Sequence, residues 1–120
     1  CETADVVARE HGNIHRSNEL SAAALVRLLE RCDAIRKPER FADILLACEC
    51  DARGRLGFEE SAYPQRPRLL AALDTVQSVV TRDIAAQAAA KGVSGPQVGA
   101  LIHKARVGAV AQWLHRHAAA

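Results

Sequence analysis

Two histidines four residues apart are the first candidates for chemistry in this chain. His11 and His15 would share one face of a helix, the separation that two imidazoles need to bind one metal ion. Gly12 and Asn13 stand between them. Both are poor helix-interior residues and predict fraying there, so the pair reads equally as polar residues at a helix end. Asp51 follows an apolar stretch and precedes Arg53, Gly54 and Arg55. Its carboxylate suits either an ion pair with arginine or a metal site whose other ligands lie elsewhere. The two arginines suit either phosphate groups or a helix C-terminus. Lys91 and Gly92, followed by Gly95 and Pro96, form a short turn between two helical patterns. Such a turn exposes backbone N–H groups to an anion, or its glycines simply supply positive φ. Lys104 and Arg106 follow, and being two apart they cannot both face one surface. The serines at 17, 21, 61, 78 and 94 carry no nucleophile motif, and no Gly-rich phosphate-binding signature is present.

The elements that must position these residues are helical. The chain has 120 residues, 49% of them hydrophobic, with only four aromatics, so its apolar content is mostly small, helix-favouring side chains. Six segments emerge. The first runs from about Thr3 to Ile14. Asn18 to Leu20 reads as a loop, and Ser21 caps a second helix with Leu25, Leu28, Leu29 and Cys32 on one face, ending near Arg36 and Lys37. Pro38 opens a third, with Phe41, Ile44, Leu45 and Cys48 inward, stopped by Gly54 and Gly57. A fourth runs from about Pro67 to Val79. Thr81 caps a fifth, about Arg82 to Ala90. A sixth, Pro96 to about His117, shows Val98, Leu101, Ile102, Ala105, Ala109 and Trp113 on one face.

The cysteines at 1, 32, 48 and 50 give neither a disulfide framework nor a zinc knuckle. They are expected as reduced, partly buried hydrophobes. No apolar run approaches the roughly 20 residues that cross a bilayer, and the N-terminus lacks a basic leader. The expectation is a cytoplasmic protein without a membrane partner. Charge divides the chain. Residues 1–60 hold 9 Lys/Arg and 12 Asp/Glu, residues 61–120 hold 7 and 2, so the halves carry −3 and +5. A basic half points to a polyanionic partner or to a solvated helical surface. The two glycines and two prolines between residues 54 and 67 mark a boundary near residue 60.

Several blocks together are similar to a known family. They are His11-Gly12-Asn13-Ile14-His15, Leu28-Leu29 with Cys32-Asp33-Ala34, Arg36-Lys37-Pro38-Glu39-Arg40, Asp51 through Glu59, and Tyr63-Pro64-Gln65. The later Lys91-Gly92, Gly95-Pro96 and Ile102 with Arg106 continue the pattern. The chain resembles the C-terminal part of the bacterial multifunctional CCA protein family, the tRNA nucleotidyltransferases that build or repair the 3′ CCA end and carry an HD phosphohydrolase domain. The resemblance implies an all-α fold: residues 1–60 as the end of an HD-type helical domain and 61–120 as a basic helical tail that binds tRNA. It further implies that nucleotidyl transfer from CTP and ATP runs in a head domain, for this chain has no Asp-x-Asp pair and no Gly-rich loop. No histidine is followed by aspartate, so the His-Asp doublet is also missing. By the same resemblance His11, His15 and Asp51, with Asp33 as a rival to Asp51, correspond to part of a site for a divalent metal of the Mg or Ni/Mn class. Arg53, Arg55, Lys91, Lys104 and Arg106 are the candidate RNA contacts. The implied fragment is inactive alone. Its rivals are a freestanding helical interaction module for nucleic acid or protein, and a compact HD-type phosphohydrolase, against which the missing doublet argues.

Overall fold

The computed structural model describes residues 2–55 and 57–118, which leaves Cys1 and Leu56 of the reading above outside the described residues. Every regular element among them is helical: α1 (Glu2–His15), a 3-10 turn (Ser17–Glu19), α2 (Ala22–Arg31), α3 (Pro38–Arg53), α4 (Gln65–Gln77), α5 (Thr81–Ala90) and α6 (Pro96–Ala118). The all-α expectation with about six helices is borne out. None of these helices is long and apolar enough to cross a membrane.

The helix ends show where local sequence chemistry governs. Ser21 caps α2 as expected, its side chain accepting from the Ala24 N–H. Pro38 stands in the first turn of α3, where its missing N–H costs nothing. α2, however, stops at Arg31, five residues before Arg36. Asp33 takes φ 55°, and the N–H groups of Asp33 and Ala34 bond back to the carbonyls of Glu30 and Leu29. That is a Schellman closure with an aspartate in the left-handed position usually held by glycine. Gly92, at φ 76°, closes α5 in the same way, with Val93 N–H on Ala88 O. Thr81 is the first residue of α5 rather than its cap; Val80 precedes it with no side-chain bond. Asn18 and Glu19 lie in the 3-10 turn, not in an irregular loop.

Amphipathic faces meet in one core. α1 packs on α3, α2 and α4 on α6, α3 on α4, and α5 on α6. Leu25, Leu28 and Leu29 of α2, Cys32 at its C-terminal cap, and Phe41, Ile44, Leu45 and Cys48 of α3 are fully buried, together with Leu69 and Val76 of α4 and Val110 of α6. The face of α6 differs from the expected stripe. Val110 is its fully buried residue, with Val107, Trp113 and Leu114 packed against the core, whereas Leu101 is 41% exposed. Leu101 and Ala105 instead line a cleft toward Ile84 and Ala88 of α5. The molecule measures 57 × 39 × 18 Å with a radius of gyration of 16.0 Å, longer than the roughly 14 Å of a compact chain of this size.

Candidate functional site

The C-terminal half of α1 does not fray. It continues through Gly12 and Asn13, and Arg16 N–H still bonds to Gly12 O. Glycine there leaves room for a side chain. A Cβ at residue 12 would come within 3.3 Å of the Arg16 guanidinium, which lies back over the helix. Asn13 turns its amide to the Glu10 carboxylate at 2.9 Å. Both contacts lie within one turn of the chain, so side chains of the same segment cover the two poor helix formers.

His11 and His15 consequently stand on one face, ring centroids 5.9 Å apart and edge to face. The Nδ1 of His11 lies 3.1 Å from Val7 O and 3.2 Å from Ala8 O. Carbonyls only accept, so Nδ1 carries a proton. His15 is held from several directions. Its Nδ1 is 2.8 Å from the Tyr63 hydroxyl, and its carbonyl accepts from Gln65 Nε2 at 2.8 Å. Burial pushes the Tyr63 phenol well above its ordinary range, with the carboxylates of Glu49 and Asp51 adding to it. The phenol stays protonated, and a neutral hydroxyl can either donate to Nδ1 or accept from it, so this one bond holds the His15 ring in either tautomer. Nε2 reaches Asp51 Oδ2 at 3.5 Å, an ion-pair distance without hydrogen-bond geometry, and is otherwise buried without a partner. His11 and Asp51 also line one small cleft of about 190 Å³ with Val7 and Cys48. Burial raises the Cys48 thiol to about 11, so it is a neutral wall of that cleft.

The three candidate ligands are thus brought to one end of the α1–α3 pair. Asp33 is engaged elsewhere, in a forked bond with Arg36 at 2.6 to 3.1 Å. The fit to a metal is incomplete. No group of three or more His, Cys, Asp or Glu among the described residues is placed to hold one ion. Only the His15–Asp51 pair is close, and a metal needs more donors than that pair supplies.

Beside this pair opens a cleft of about 400 Å³ lined by His15, Arg16, Ala52, Arg55, Phe58 and Gln65. Among the described residues Arg16 and Arg55 have no ion-pair partner, and Phe58 is 54% exposed. The other basic candidates separate. Arg53 is latched to Glu49 at 3.3 Å and to the Ser61 carbonyl at 3.0 Å. Arg106 faces Glu30 at 3.5 Å beside His103, which sits 3.0 Å from the same carboxylate. Lys91 and Lys104 are exposed. Sequence reasoning missed Arg16, Phe58 and the Tyr63 contact to His15. Glycine inside a helical pattern was the one available signal for Arg16; a contact spanning 48 residues leaves none.

An all-helical chain with an oriented histidine–carboxylate pair and a cationic cleft is the class this geometry defines. Similarity narrows it. The chain is 80% identical over 112 residues to the multifunctional CCA protein of Verminephrobacter eiseniae, covering 93% of this chain and 27% of that protein. It is 73% identical to that of Paracidovorax citrulli over 94% of the chain and 65% identical to that of Cupriavidus metallidurans over 94%, again 27% of each relative. The resemblance carried by the motifs is borne out, and the chain spans about a quarter of the length of these relatives. No protein-family model and no solved structure matches the chain.

Proposed function

We propose that this chain is the C-terminal part of a tRNA nucleotidyltransferase that adds or repairs the 3′ CCA end, contributing tRNA binding and part of an HD phosphohydrolase site. The 80% identity across 93% of the chain to a multifunctional CCA protein carries the reading. Residues 1–60 end the HD-type domain and 61–120 form its basic tail. That division is one of charge, since a single apolar core joins residues from both sides. Nucleotidyl transfer from CTP and ATP belongs to the remainder of the parent protein. His11, His15 and Asp51 are a partial ligand set that a divalent ion would join only with donors from outside this chain. When bound, such an ion would lower the pKa of its water. Tyr63 and Gln65 contribute by fixing the ring and backbone of His15.

For tRNA, Arg55, Lys91 and Lys104 supply uncompensated cations, while Arg53 and Arg106 already face glutamates and contribute less. Phosphate contacts of this kind release counterions, so affinity falls with salt and is indifferent to base sequence. The test is the anisotropy of labelled tRNA against salt, with Arg55, Lys91 and Lys104 each reversed to Glu. Each reversal is expected to weaken binding and to reduce the log–log salt slope by about one unit. Unchanged affinity and slope in all three variants would make the basic half a solvated surface. The chain alone, given tRNA, CTP, ATP and Mg²⁺, is expected to incorporate no nucleotide; incorporation would overturn the division of labour.

A further inference from the structure

We propose that the cleft between α4 and the C-terminal end of α6 takes one unstacked nucleotide of single-stranded RNA, its base on Trp113 and its phosphate on Arg68. This rests on the reading of RNA as partner and locates a contact on residues that reading does not use. The cleft holds about 360 Å³ and is lined by Arg68, Trp113, Leu114 and His117. Trp113 is half-buried. Trp113 and Leu114 pack against the core, Arg68 lies over the Trp113 ring at 5.9 Å from its centroid, and the His117 ring is 5.4 Å from it. An indole that packs on the core and lines a cleft becomes a stacking platform when the guanidinium over it turns to a phosphate, and stacking tolerates any base because every base has a π face.

The charge points the same way. Arg68 has no ion-pair partner among the described residues, and its Nε is buried with no hydrogen-bond acceptor. The buried Nε holds the stem of the side chain in place, and the guanidinium's terminal nitrogens are the donors left for an anion that this chain does not supply. α6 carries no Asp or Glu over its whole length, and its last turn holds His115, Arg116 and His117. A cationic rim, a guanidinium short of an acceptor and a braced indole match a nucleotide in both parts, phosphate and base. An acidic peptide would use the charge and leave the ring idle.

Trp113 is the only tryptophan of the chain, so its fluorescence reports this cleft without any substitution. The 120-residue chain is titrated with oligo(A) RNA, with AMP and with inorganic polyphosphate, while the anisotropy of labelled tRNA is followed separately. Oligo(A) is expected to quench Trp113 saturably, polyphosphate to bind without quenching, and AMP to require at least tenfold more ligand. Arg68→Gln, with helical content unchanged by circular dichroism, is expected to weaken the quench titration about fivefold. Quenching by polyphosphate equal to that by RNA would show a charge effect and no stacking, and would overturn the assignment. So would AMP acting at the same midpoint as the strand. If tRNA binds and Trp113 does not respond, the cleft assignment alone falls. If tRNA fails to bind at low salt, the proposed function falls with it.

Discussion

Glu10 shows what a single side chain does here. Its carboxylate is 3% exposed on α1 and receives two bonds of 3.1 Å from Arg31 of α2, with Asn13 adding a third. Burial pushes this carboxyl up, but the bonds from Arg31 and Asn13 and the Arg31 charge outweigh it, and the net direction is downward. A group whose pKa is lower folded than unfolded adds stability above its unfolded value and loses it as pH falls through the folded one. The clamp between α1 and α2 is therefore expected to weaken below about pH 4.5, the ordinary carboxyl value. Glu10→Gln should cost about 1 to 2 kcal/mol at neutral pH and flatten the acid limb of a thermal-denaturation series; an unchanged limb would mean that other carboxylates set it. The residues of the candidate site were legible by type and spacing. Which of them touch was not, because Tyr63 and Asp51 reach His15 from other elements.

At the scale of elements, helix ends separate local from tertiary control. Ser21 and Thr81 look alike in the sequence as caps before an apolar pattern. Only Ser21 bonds the backbone of its helix, through Ala24 N–H; Thr81 lies inside α5. Ser21→Ala is expected to cost about 1 kcal/mol, and Thr81→Ala to be neutral or slightly stabilising because alanine is the better helix former. Equal losses from both, read from chemical denaturation, would contradict this difference. The early end of α2 has the same lesson. Nothing apolar requires a turn at Asp33, yet Ala34 is fully buried beside Cys32, and the chain must reverse there to bring Pro38 and α3 back along the core.

Across the whole molecule, α6 ties the basic half to the acidic one. Val110 is buried in the shared apolar core, where α6 packs on α2 and α4, and Glu30 of α2 receives both His103 and Arg106. Val110→Ala is expected to lower stability by about 1 to 3 kcal/mol through a lost contact and a cavity, whereas Leu101→Ala, at a position 41% exposed, should change it by less than about 0.5 kcal/mol. Calorimetry on the two variants checks which face of α6 is inside; the reverse order would restore the stripe through Leu101 and Ala105.

The sequence by itself determined the helical class, the positions of six helices to within a few residues, the inward faces of α2 and α3, the separation of charge and the family the motifs resemble. Each of these follows from neighbours in the chain: composition, 3.6-residue periodicity, caps and prolines. The tertiary structure decided the rest. It chose the face of α6, because an alanine-rich helix presents almost equal apolarity all round and only the shape of its partners breaks the tie. It placed Asp51, not Asp33, against His15, and it left Arg55 open while engaging Arg53 and Arg106 with glutamates. Pairings between residues tens of positions apart depend on how the helices cross, and no local pattern encodes that angle.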